Sequence, residues 1–126
     1  MDVVLTIEKE PILIGGLEGL MARVTYDEMA RRLGIEGMAY VQFVVMEDGS
    51  VTEVKVVRDN FDQSFPSFED LSPAARATRR AAYEDRAQAL RRSAVYAVET
   101  SRFEPGLQRG RPVRVRYTLP LRFVLR

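Results

Sequence analysis

From Val113 to Leu125 every odd position is apolar: Val113, Val115, Tyr117, Leu119, Leu121, Phe123 and Leu125. The even positions between them read Arg114, Arg116, Thr118, Pro120, Arg122 and Val124. Alternation sustained over this length predicts a β-strand with one face buried and the other wet. Pro120 donates no N–H to a ladder, so the strand belongs at a sheet edge or at a bulge. A long strand near an edge is an open template for another backbone.

The same reading assigns the rest of the chain. Val3 to Ile7 predicts a short strand stopped by Pro11. Leu17, Leu20, Met21 and Val24, after Gly15-Gly16, carry the i, i+3, i+4, i+7 stripe of a short amphipathic helix. Thr25 and Glu28 form a capping-box pattern before a second helix with the stripe Tyr26, Met29, Ala30 and Leu33. Asp27 puts negative charge in its first turn, Arg31 and Arg32 sit in its last, and Gly34 offers a left-handed C-cap. Tyr40–Met46 and Val51–Arg58 are β-rich runs flanking Asp48-Gly49, a pair suited to the positive φ angles of a tight hairpin turn.

An irregular stretch with Phe61, Phe65, Phe68 and Leu71 follows, and Pro66 argues against one helix carrying all three phenylalanines. Ser72 then N-caps a helix with Pro73 in its first position. Its second half has a stripe of Tyr83, Ala87, Leu90, Ala94 and Val98, with Ala97 beside it, and Phe103, Pro105 and Gly106 follow its end near Ser101. A helix of that length is about 42 Å long. A compact domain of this size is only about 36 Å across. Its alanine-rich first turns must therefore project, break from the rest, or pack on a second copy.

The order β-α-α-β-β-(insert)-α-β predicts an α+β fold: an antiparallel sheet of three to four strands, helices on one face, and a long terminal edge strand. At 126 residues the chain is most simply one domain, 1–126.

Charge changes this picture more than bulk composition does. Residues 1–75 hold 6 basic and 14 acidic side chains, net −8, and residues 76–126 hold 13 basic and 4 acidic, net +9. The plain reading is that the two halves attract within the fold; the sharper one is a basic face for an acidic partner. Cysteine and histidine are both absent, which removes disulfides, Cys/His zinc sites and Ser-His or Cys-His catalysis. Gly15, Gly16 and Gly19 precede no Gly-Lys-Ser/Thr and make no phosphate loop. Glu47-Asp48 belongs to a turn without a second acidic cluster, so no catalytic, cofactor or metal-binding residues are expected and the chain does not read as an enzyme. No apolar run approaches the roughly 20 residues that span a bilayer, and the start lacks the basic and apolar regions of a signal peptide. The chain as given is expected to be soluble, either cytoplasmic or a piece of a longer exported or anchored protein.

Residues 11–58 and 85–125 together resemble the C-terminal, receptor-binding domain of TonB-family energy transducers. The markers are Gly15-Gly16, the helix start at Tyr26, Gly34-Ile35-Glu36-Gly37, the Asp48-Gly49 hairpin, Phe103-x-Pro105-Gly106 and Gly110-x-Pro112-Val113, in this order. The resemblance implies a periplasmic domain of a protein anchored in the inner membrane. Its partners would be the TonB box of an outer-membrane transporter, added as a strand beside the last strand, and an inner-membrane proton-driven complex that supplies force. Val113, Arg114, Val115, Arg116, Tyr117, Thr118 and Leu119 would then form the partner-peptide site, with Tyr26 beside them. Three features depart from the family pattern: Tyr26-Asp27 stands where Tyr-Pro is usual, residues 59–84 form a lengthened insertion, and neither membrane anchor nor proline-rich spacer is present in the sequence.

A second reading uses the same fold as a free-standing homodimerisation module, with Phe61, Phe65 and Phe68 as dimer or lip contacts, although a satellite cluster over the core is the plainer role for them. Arg114, Arg116 and Arg122 read first as a solvated face that discourages uncontrolled edge pairing. The arginines from Arg76 to Arg92 lack interleaved aromatics, and the acidic half opposes a polyanion, so nucleic acid is not an expected partner.

Overall fold

The structure, a computed structural model, describes residues 7–125. The strand expected at Val3 to Ile7 lies outside the described residues except for Ile7, which joins no strand. After Pro11, β1 (Ile12–Leu13) pairs antiparallel with β4 (Phe103–Glu104), and Lys9 bridges to Leu107 in the same register. The start of the described chain is thereby fastened to the segment after the long helix.

Two short helices follow, α1 (Gly16–Met21) and α2 (Glu28–Arg32). In α1 the stripe buries Leu20, while Leu17 stays 46% exposed. The capping box is replaced by a simpler cap: Asp27 is the N-cap, its carboxylate accepting from the Ala30 N–H at 2.9 Å. Thr25 lies two residues too early to cap, and its N–H donates to the Ser93 hydroxyl at 2.7 Å instead. The later start turns Met29 outward and keeps Ala30 in the core. At the other end the Gly34 N–H donates to the Arg31 carbonyl and the Ile35 N–H to that of Ala30, the paired bonds of a Schellman motif. Gly34 sits at φ 74°, the left-handed conformation such an ending requires.

The hairpin forms as expected, with longer arms: β2 (Gly37–Val45) and β3 (Val51–Asp59). Its connection is wider than a two-residue turn. The Gly49 N–H donates to the Met46 carbonyl and the Met46 N–H to that of Ser50, so Glu47, Asp48 and Gly49 form a three-residue loop with positive φ only at Gly49. Two bulges interrupt β3, one at Glu53-Val54 and one at Val57, where an extra residue faces β2.

A 3-10 turn (Phe61–Ser64) leads through the insertion to α3 (Pro73–Glu99). Ser72 caps α3 by accepting from the Ala75 N–H at 3.2 Å, with Pro73 in the first turn. The helix is continuous. Its stripe buries Ala87, Leu90, Ala94, Ala97 and Val98 against the sheet, and residues 73–82 are all exposed. The chain returns through β4, β5 (Gly106–Gln108) and β6 (Arg111–Val113) to β7 (Val115–Phe123).

The main sheet is three-stranded and antiparallel in the order β3-β2-β7, with α3 laid across β3 and β2 and the two short helices against α3. Val41, Phe43 and Val45 of β2, Leu121 and Phe123 of β7, and Leu90 and Val98 of α3 meet in the core between the layers. The single strand expected from Val113 to Leu125 is divided. Val113 pairs with Gly106 in β6, Arg114 belongs to neither strand, and the main ladder starts at Val115 opposite Val45. Beyond Val45 the central strand gives way to the hairpin loop, so residues before Val115 have no partner there and pair with β5 instead.

Candidate functional site

The site begins from the direction of backbone groups. In an antiparallel pair, successive residues turn their N–H and C=O alternately toward and away from the neighbour. The Met46 N–H donates to Ser50 and the Met38 carbonyl accepts from Asn60, so even residues of β2 face β3. Odd residues of β2 therefore face β7, and their partners Val115, Tyr117, Leu119, Leu121 and Phe123 turn their backbone groups inward. The groups of Arg116, Thr118, Pro120 and Arg122 point away from the sheet. Among the described residues no strand pairs with that side of β7. The edge offers four carbonyls and three N–H groups, and Pro120 stands where its missing N–H costs the sheet nothing.

Side chains follow the same alternation. Val115, Leu121 and Phe123 are buried; Arg116, Thr118, Pro120 and Arg122 are exposed. Tyr117 and Leu119 are half-buried anchors, and the Tyr117 ring meets Phe43 edge-on with centroids 5.9 Å apart. Arg116 and Arg122 make no ion pair among the described residues, leaving two cations on the outer row.

Two of the expected site residues lie elsewhere. Val113 is half-buried in β6, off the edge of the main sheet. Arg114 is held by the hairpin loop: its guanidinium Nε donates to Glu47 Oε1 at 3.0 Å. Glu47's own backbone amide, and then Arg114, hold that carboxyl below the usual carboxylate value.

Tyr26 does sit beside β7, at its far end. Its ring packs edge-on against Phe123 with centroids 5.8 Å apart, the Arg31 guanidinium lies 4.8 Å above it, and its hydroxyl donates to the Ile35 carbonyl. Burial, reinforced by Glu36, pushes the phenol above its ordinary value. Tyr26 and Arg31 share a cleft of about 390 Å³ with Met21, Val24, Arg122 and Phe123. The edge thus runs from Arg116 to a cleft beside Arg122. Pro120 and Arg122 lie in the same outward row and were absent from the expected set, although the even-numbered row that contains Arg116 and Thr118 leads directly to them.

The three phenylalanines of the insertion separate. Phe61 is fully buried, its ring 5.4 Å from that of Phe123, so it is a core residue and no lip or dimer contact. Phe65 and Phe68 are half-buried against Tyr83 of α3, with centroids 5.4 and 5.2 Å away. Among the described residues no group of three or more carboxylates or other metal ligands gathers, and no helix is long and apolar enough to cross a membrane.

The family model described as the Gram-negative bacterial TonB protein C-terminal matches residues 22–66 and 72–125, its break falling inside the insertion. No curated protein matches the chain. Two solution structures of the Helicobacter pylori TonB C-terminal domain, residues 179–285 and 194–285, are each 22% identical with a TM-score of 0.43. They cover 85% of this chain and 74% and 86% of their own. The family match spans α2, the central hairpin, α3 and the terminal strand alike, and the chain belongs to the TonB C-terminal family, a family of transducers and not of enzymes.

Proposed function

We propose that the chain, as one domain with residues 59–84 as an insertion, captures an extended segment of an outer-membrane transporter as an added strand on β7. The segment would be the TonB box, and the domain would work in the periplasm as part of a protein anchored in the inner membrane and driven by a proton-powered complex there. The observation that carries this reading is the outward row of backbone groups at Arg116, Thr118, Pro120 and Arg122 on an edge with no partner among the described residues. Main-chain hydrogen bonds to that row provide affinity, and pockets for alternate side chains provide selection. Arg116, Thr118 and the Tyr26–Arg122 cleft are the contacts available for the second task. Val115, Tyr117 and Leu119 act from behind, fixing the strand to the core.

The test is an amide NMR titration of the domain with TonB-box peptides, with the molar mass followed by light scattering. One peptide per chain, with shifts concentrated on Arg116, Thr118 and Arg122, supports the reading. A stable dimer whose β7 amides ignore every peptide would replace it with the assembly reading. That alternative has one observation in its favour, the exposed first turns of α3 beside half-buried Phe65 and Phe68.

A further inference from the structure

The sheet has a second edge. Gln42 and Tyr40 turn their backbone groups toward Lys55 and Arg58, so between the two bulges Val54 and Val56 direct theirs away from β2. No strand pairs with this side of β3 among the described residues. The edge is not bare surface, because α3 overhangs it. Strand and helix enclose an open groove of about 560 Å³, with half-buried Val54, Val56 and Val95 as its floor. Lys55 and Arg92 stand on its rim and make no ion pair among the described residues. Glu99 is the single carboxylate there, at one end. Arg91, also on the rim, is already committed to Asp59 and Glu84.

We propose that this groove is a second peptide-binding site, taking an extended segment in which aliphatic residues alternate with carboxylates. The outward N–H and C=O groups of Val54 and Val56 supply a short ladder, and the bulges on either side limit it to that window. Strand alternation sends every second ligand side chain beneath α3 onto the valine floor, which an aliphatic residue fills. The intervening side chains emerge on the opposite face, where Lys55 receives a carboxylate. The site shares no residue with the β7 edge, so it stands whether or not that edge binds a transporter.

The test is an NMR titration with the blocked heptapeptide acetyl-Thr-Val-Glu-Val-Glu-Val-Thr-amide and its glutamine counterpart. The expected result is movement of the Val54, Val56 and Val95 amides, with the glutamine peptide weaker by about tenfold from loss of charge pairing. Lys55→Glu should weaken the glutamate peptide by a similar factor. Shifts confined to β7, equal binding of both peptides, or no shift at millimolar peptide would each overturn the proposal. If the variant loses its folded spectrum, the comparison of the two peptides on the native protein decides.

Discussion

A β-carbon added at Gly49 would lie 2.1 Å from the carbonyl oxygen of Phe103, and the residue sits at φ 85°. Its own carbonyl accepts from the Phe103 N–H at 2.9 Å, so the hairpin loop is docked on the segment leading to β7. Gly49→Ala combines a disfavoured backbone conformation with a backbone clash and should destabilise by more than about 1 kcal/mol. Urea denaturation reads this directly, and a change within ±0.5 kcal/mol would contradict it. Tyr26 gives a pH-dependent counterpart. Burial raises the folded phenol above the ordinary 10.0, so the unfolded chain loses that proton at lower pH than the folded one. The stability Tyr26 contributes is then complete below about pH 10 and is lost as pH rises through the folded value. Tyr26→Phe should cost about 1 kcal/mol at neutral pH through the bond to Ile35, and the gap between variant and native protein should shrink above pH 10. Denaturation at pH 7, 9 and 11 tests this; a gap as wide at pH 11 as at pH 7 would refute it. The Asp48-Gly49 turn was legible in the sequence because turn chemistry is local. Its docking on Phe103 was not, because that contact joins residues far apart along the chain.

At the scale of elements, α3 was the most legible and its beginning the least. Ser72-Pro73 is a local start signal, and the Tyr83-to-Val98 stripe is periodic, so helix and buried face both follow from neighbouring residues. What the alanine-rich first turns do depends on the insertion, which has no periodicity. The helix is continuous, so of the three outcomes open to them these turns do not break from the rest, and the insertion lies along them. Arg76 fastens it there, its guanidinium donating to the carbonyls of Phe68 at 3.3 Å and Leu71 at 3.2 Å. Phe65 and Phe68 close against Tyr83, while the 3-10 turn has already put Phe61 beneath Arg91 and against Phe123. Nothing in the sequence separated Phe61 from the other two, because the separation is made by a turn with no strong signal of its own. Arg76→Ala removes the fastener but leaves the core intact. It should change global stability by less than about 0.5 kcal/mol, as exposed substitutions do, while exchange of the Leu71 amide, which donates to the Phe68 carbonyl, accelerates. Unchanged exchange there would mean that Phe65, Phe68 and Tyr83 hold the insertion without help.

Across the whole molecule, the charge asymmetry of the sequence is partly spent inside the fold. Arg86 with Asp27, Arg91 with Asp59 and Arg114 with Glu47 each join the basic second half to the acidic first half. What remains is a three-stranded sheet whose two edges are unpaired among the described residues, a hazard that proteins limit with bulges, charges and proline. On β3 the bulges at Glu53-Val54 and Val57 do this. On β7 the devices are Arg116, Arg122 and Pro120, all in the outward row. Pro120 is the informative one, because it leaves the ladder to β2 complete and removes one donor from the row facing outward. An added strand therefore pairs fully beside Arg116 and Thr118, meets a gap at Pro120, and resumes at Arg122. Pro120→Ala should restore the missing donor and have little effect on folding stability. One additional hydrogen bond contributes about 0.5–1.5 kcal/mol, so a peptide bound along β7 should tighten between about twofold and tenfold. The same change lengthens an unprotected edge, and self-association should rise with it. Calorimetric titration and sedimentation on native and variant protein measure the two effects together. Tighter peptide binding with a monomeric variant would mean that Pro120 tunes capture; association without tighter binding would mean that it guards the edge against a second copy. Neither change would show that the outward row is not where a strand is added.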